Sequence, residues 1–131
     1  MLRTVEMPVV SFELSVAFAL SITLAGCGSG RAQSPGAAIG NAKNGQRLLY
    51  AYGCGNCHVI PNIAEARGTL GPPLAGFASR YYMAGSLANT PDNLVNWIVD
   101  PQKIEPGNAM PSLGVTRRQA ADMAAYLYSL R

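Results

Sequence analysis

The sequence predicts a small all-α domain, three principal helices joined by Gly- and Pro-rich loops. Three observations carry that prediction. Apolar residues recur at helical spacing in three separate segments, two of those segments open on a cap signal, and no run of Val, Ile, Tyr and Thr alternates with period two. Of 131 residues, 14 are glycine and nine are proline, and most of them fall between the helical segments or at their starts.

Residues 1–26 read as a targeting segment and stand outside the fold. Leu14 to Ala25 is an apolar stretch of signal-core length, broken only by Ser15, Ser21 and Thr23, and it runs into Leu24-Ala25-Gly26-Cys27. That tetrad resembles the lipobox of bacterial lipoproteins. The resemblance implies a lipid on the Cys27 sulfur, with Cys27 as the mature N-terminus. Ahead of the core only Arg3 is positive, against Glu6 and Glu13, and a start at Met7 in place of Met1 would remove even that charge. The competing reading is an uncleaved anchor from Met7 to Ala25. Glu13 inside it, and a length at the short end of the roughly 17–25 residues a spanning helix needs, favour the lipoprotein. Either reading exports the rest of the chain.

Residues 27–40 are rich in Gly, Ser, Ala and Pro with one charge at Arg31, the composition of a flexible tether, and 41–131 is the folded domain. Its first helix spans Ala42 to Tyr52, with Leu48, Leu49 and Tyr52 on one side and Gly45 offering close backbone approach one turn earlier. Thr90-Pro91-Asp92 starts the second: a hydroxyl cap, proline at the first helical position and an acid in the first turn. Leu94, Trp97 and Ile98 then form an apolar stripe up to the Asp100-Pro101 break. Thr116-Arg-Arg-Gln119 fits a capping box, and Ala120, Met123, Ala124, Leu127 and Leu130 follow at helical spacing. So short a chain buries limited apolar surface, and a large planar apolar body in its core would help to stabilise it.

The net charge of +3 is modest, and no block of basic residues interleaves with aromatics, so nucleic acid is not an expected partner. The chemistry lies in Tyr52-Gly-Cys-Gly-Asn-Cys-His58. C-x-x-C-H is the spacing that attaches a c-type haem: Cys54 and Cys57 can form thioethers to the two vinyl groups of one porphyrin, and His58 puts an imidazole beneath the iron. The same run could be a zinc half-site or a redox-active disulfide. His58 is the only histidine, however, so a zinc site that wants four nitrogen or sulfur ligands finds only three near the motif unless a second chain contributes. A thioredoxin-like dithiol would call for flanking strands that the sequence lacks.

One histidine also excludes bis-histidine ligation within a monomer, so the second ligand is methionine, lysine, an amine, water or nothing. Of the five methionines, Met1 and Met7 belong to the leader, Met123 lies in the apolar stripe of the last helix, and Met83 is an outside candidate. Met110 stands in Pro106-Gly-Asn-Ala-Met-Pro-Ser-Leu-Gly114, a helix-free loop whose prolines can hold a thioether with little entropy left to lose. The alternative is that it fills a hydrophobic gap.

Taken together, these parts resemble the class I cytochrome c family across nearly all of Asn41 to Arg131. The order agrees: an N-terminal helix, C-G-N-C-H, Gly71-Pro-Pro-Leu74, Arg80, a helix ending at Pro101, Pro106-Gly-Asn-Ala-Met110, and a C-terminal helix with Ala125-Tyr-Leu127. The resemblance implies a small cytochrome c fold wrapped around one covalent haem c, with His58 and Met110 as the iron ligands. It implies that the Pro72 carbonyl accepts a hydrogen bond from His58, and that Arg80 lies beside a haem propionate. It places Trp97 near the methionine side, donating its N–H to a propionate or toward the Met110 sulfur, or simply packed in the core. Unlike the mitochondrial branch, the expected haem-edge segments at Cys54–His58, Leu74–Phe77 and Ala109–Leu113 are nearly uncharged, so a small apolar rim is expected in place of a lysine ring.

The function implied is that of a membrane-tethered electron carrier rather than an enzyme, acting as a monomer or as a subunit of an oxidoreductase complex in the periplasm or at the cell surface. Its donor would be a quinol-oxidising complex or a dehydrogenase, and its acceptor a terminal oxidase or reductase. A haem ligand sensor or peroxidase-like enzyme is the rival from another class. The sequence argues against it, having no spare histidine and no distal acid and base pair.

Overall fold

Asn41 starts the first helix with its own side chain. In a computed structural model, which describes residues 39–131, Asn41 Oδ1 accepts the Asn44 backbone N–H at 3.0 Å, and α1 runs over Ala42–Ala51. Such a cap is worth about 1 kcal/mol. The predicted leader, Cys27 and nearly all of the tether lie outside the described residues. No helix among those described is long and apolar enough to cross a membrane.

The second and third predicted helices form as read. Pro91–Val99 is α2, with Thr90 accepting from the Asn93 N–H and Pro91 in the first turn. A short helix that the sequence reading missed, α3, follows at once over Pro101–Ile104. The Asp100-Pro101 pair reads as a stop, but Asp100 also accepts the Lys103 N–H at 3.3 Å, so the pair ends one helix and caps the next. The last helix, α4, spans Arg117–Leu127 behind the expected capping box, in which the Thr116 hydroxyl accepts the Gln119 N–H and Gln119 Oε1 accepts the Thr116 N–H.

One correction concerns strands. Tyr82–Met83, β1, and Leu87–Ala88, β2, pair antiparallel in the register Tyr82 with Ala88 and Met83 with Leu87. Ala84 and Gly85 turn the chain with positive φ of 45° and 83°. Two residues per strand are too few for an alternation to be legible.

The dominant packing is α1 against α4. Leu49 from α1, Leu94 and Ile98 from α2, and Ala120, Met123, Ala124 and Leu127 from α4 are buried together, and Met83 and Leu130 join them. Gly45 makes the crossing possible: a Cβ there would lie 1.9 Å from the Asp122 carbonyl oxygen. Beside that contact Asp122 ties the two helices by hydrogen bonds. Its Oδ1 accepts the Asn41 N–H and its Oδ2 the Asn44 amide, both at 2.7 Å.

Those two donors, in that order, with help from the Arg118 charge, hold the Asp122 carboxyl below its ordinary value of 3.8. A depressed folded pKa means that the stabilisation is complete above the unfolded value and is lost as pH falls through the folded one. Asp122→Asn is therefore expected to flatten the acid limb of stability below about pH 4. Urea midpoints measured between neutral and acid pH check this, and an unchanged pH slope in the variant would contradict it.

Candidate functional site

Gly53, at φ 68°, ends α1 and swings the chain into a tight turn over Cys54–Asn56. Within it the Cys57 and His58 N–H groups both donate to the Cys54 carbonyl, at 3.2 and 3.0 Å. Residues 54, 57 and 58 therefore occupy i, i+3 and i+4 of one helical turn, the spacing that brings side chains to a common face. Cys54 and Cys57 are free thiols. Burial pushes the Cys54 thiol above its ordinary range, the opposite of the depression that marks a reactive thiolate.

A second segment clasps this turn. Gly68 N–H donates to the Gly55 carbonyl at 2.9 Å, Gly71 N–H to Cys57 at 2.8 Å, and Leu74 N–H to Val59 at 2.8 Å. The approach is so close that a Cβ on Gly68 would meet the Asn56 carbonyl at 2.2 Å, and one on Gly71 would meet His58 Cε1 at 2.3 Å. Gly71 is thus a flat seat for the imidazole. From the next residue the Pro72 carbonyl lies 2.8 Å from His58 Nδ1. A carbonyl only accepts, so Nδ1 carries a proton and donates, which leaves Nε2 as the ring nitrogen available to a metal.

Arg80 is half-buried. Its Nη2 donates to the Pro73 carbonyl and, at 3.1 Å, to the Ala75 carbonyl, and its guanidinium lies 5.6 Å from the centre of the Phe77 ring. Both bonds come from Nη2, so Arg80 secures the segment that follows Pro72. Trp97 is half-buried on α2 and packs against the core. Leu74 and Phe77, expected on an exposed rim, turn inward instead and belong to the core. Exposed apolar side chains near the motif and the Met110 loop in sequence include Tyr50, Val59, Leu70, Ile104 and Leu113, with Leu70 83 % accessible.

Met110 is half-buried in the loop after α3. Its N–H donates to Asn108 Oδ1 at 2.8 Å, and its carbonyl accepts from Gln102 Nε2 at 2.8 Å. Neither Gln102 nor Asn108 stood out in the sequence. The signal was the Asp100-Pro101 pair, which repeats the Thr90-Pro91 pattern of a helix start. Met123 is fully buried and Met83 nearly so, both among core side chains.

These groups fit a haem c: two free thiols at the attachment spacing, an imidazole whose Nδ1 is taken by a carbonyl and whose Nε2 is left to a metal, a glycine that makes room for that ring, and no buried charge in the described core. The family model for cytochrome c matches residues 42–131.

The chain belongs to the cytochrome c family.

Its cofactor is covalently bound haem c, and Cys54 and Cys57 stand as the thiols of its C-x-x-C-H motif. As a cytochrome c it is an electron-transfer haem protein of small all-α fold. The chain is 33 % identical over 91 residues to cytochrome c oxidase subunit 2 of Alkalihalophilus pseudofirmus, a match covering 69 % of this chain and 26 % of that protein. It is 32 % identical over 94 residues to the subunit of the same name from a Bacillus species, with the same coverage of 69 % and 26 %. With the Bacillus subtilis protein of that name it shares 40 % over 72 residues, 53 % of this chain and 20 % of the relative. The cytochrome chain therefore spans about a quarter or less of the length of these curated relatives.

Proposed function

We propose that this cytochrome is a membrane-tethered carrier of single electrons between respiratory partners, and that its iron site is closed by His58 and Met110. The reading is supported by the His58 Nδ1 bond to Pro72, which orients the ring and leaves Nε2 as the nitrogen to meet a metal. Haem c supplies a one-electron couple when bound. Cys54 and Cys57 hold it by thioethers, and Met110 adds a soft sulfur ligand that raises the potential above that of a bis-histidine site. Were His58 and Met110 both to hold the iron, the chain's own side chains would leave no place on it for a substrate. Arg80, whose Nη2 is taken up by two carbonyls, would have Nη1 and Nε left to offer a haem propionate. Trp97 packs on the methionine side.

The acceptor is a terminal oxidase or reductase, and the donor a quinol-oxidising complex or a dehydrogenase. Likeness to proteins named cytochrome c oxidase subunit 2 favours the oxidase. A partner meets exposed apolar side chains of the kind of Val59, Leu70 and Leu113 in transient contacts. A lipid on Cys27 places the domain at the membrane on the exported side, and tethering raises its effective concentration near the partner.

The intact mass of protein extracted from membranes tests the tether and the haem together. The expected mass carries one haem and a lipid, with the chain beginning at Cys27, and Cys27→Ser is expected to lose the lipid and to keep residues 1–26, since the cut before residue 27 goes with lipidation. A wild-type chain without a lipid, with or without residues 1–26, would overturn the lipid tether.

A further inference from the structure

Both main-chain polar groups of Met110 end on side-chain amides. Gln102, on α3, is the more heavily engaged of the two. Its Nε2 donates to the carbonyls of Asn108 at 2.9 Å and Met110 at 2.8 Å, while its Oε1 accepts the Gly107 N–H at 3.0 Å. Asn108 completes the bracket by donating to the Pro101 and Glu105 carbonyls, at 3.0 and 2.6 Å. Pro101 is among the most buried side chains of the described residues, so the bracket ties Met110 to the core rather than to a loose loop. In an exposed loop, backbone groups can turn to water for hydrogen bonds; here one side chain gathers three of them, spread over residues 107–110.

We propose that Gln102 is a positioning residue that sets how tightly the Met110 thioether is held on the iron. The inference rests on Met110 being the axial ligand. Gln102 acts through the main chain: it fixes the backbone at Met110 and over the residues just before it, so the sulfur is presented without a search through loop conformations. Without the bracket the loop samples open states, and an added ligand competes for the iron in proportion to the open population.

The test is an imidazole titration of the ferric holoprotein, read at the methionine-sulfur absorption band near the red edge. The wild type is compared with Gln102→Leu, which removes all three bonds, and with Gln102→Glu, which keeps the acceptor and loses both donors. The band is expected in all three proteins without imidazole. Half-saturation is expected at about tenfold lower imidazole in both variants, the effect of losing one to two net hydrogen bonds. Thermal unfolding followed alongside separates this from general loss of stability, because a purely structural role lowers the midpoint and leaves imidazole affinity unchanged. Wild-type affinity in Gln102→Glu overturns the proposal even where Gln102→Leu fails to fold. A wild type with no band overturns the Met110 ligation beneath it, a different result from a band that Gln102 variants leave untouched.

Discussion

Gly71→Ala is expected to loosen the His58 imidazole by one to two orders of magnitude in ligation strength, the scale of losing a contact that orients a metal ligand. The backbone is not the obstacle, since Gly71 lies outside the left-handed region. The obstacle is the ring: a Cβ 2.3 Å from Cε1 and 2.6 Å from Nδ1 forces the imidazole away by more than an ångström. Moving it breaks the 2.8 Å bond to Pro72, because residues 71 and 72 are fixed to the attachment turn through the Gly71 N–H and the Cys57 carbonyl. A weaker imidazole loses to protons sooner, so the ferric spectrum should collapse at a higher pH than in the wild type. An acid titration of the visible spectrum measures this. An unchanged midpoint would show that the seat is not needed.

Met110→Ala is expected to open the iron to small ligands and to lower its potential, because a soft thioether favours the ferrous state. The ferrous wild type should bind carbon monoxide only as fast as the methionine leaves, whereas the variant should bind it at once, about a hundredfold faster or more if the closed state holds at least 99 % of the population. The fold should hardly change, since Met110 is half-buried in a loop while the core rests on α1, α2 and α4. Flash photolysis or rapid mixing with carbon monoxide gives the rates. Rapid binding to the unmodified protein would reassign the molecule to ligand sensing or peroxidase-like chemistry.

Much of this fold and site was legible in the sequence where the determinants are local. Thr90-Pro91 and Thr116 to Gln119 cap their helices through bonds that span three residues, and the residues alone state them. Cys54, Cys57 and His58 share one turn, so their spacing is their geometry. Gly45 could be singled out because a glycine on the apolar side of a helix signals close approach, and it meets Asp122.

What stayed hidden depends on chain segments meeting. Asp100-Pro101 has two meanings, a stop and a start, and only the Lys103 N–H bond decides between them. The strands at Tyr82 and Leu87 are shorter than any pattern. Leu74 and Phe77 face inward because the Leu74 N–H is pinned to Val59 and Phe77 stacks edge-on to Tyr128 at 5.8 Å, contacts between residues far apart in the chain. Gln102 and Asn108 acquire their roles only once the 101–110 loop has closed, since each bonds to backbone several residues away.

We propose above all that His58 and Met110 together close the iron of this cytochrome. The most direct measurement is the near-red absorption of the ferric holoprotein, wild type beside Met110→Ala. A methionine-sulfur band is expected in the wild type and none in the variant, with haem still covalently attached in both. A wild type without that band, or a band that survives Met110→Ala, would contradict it.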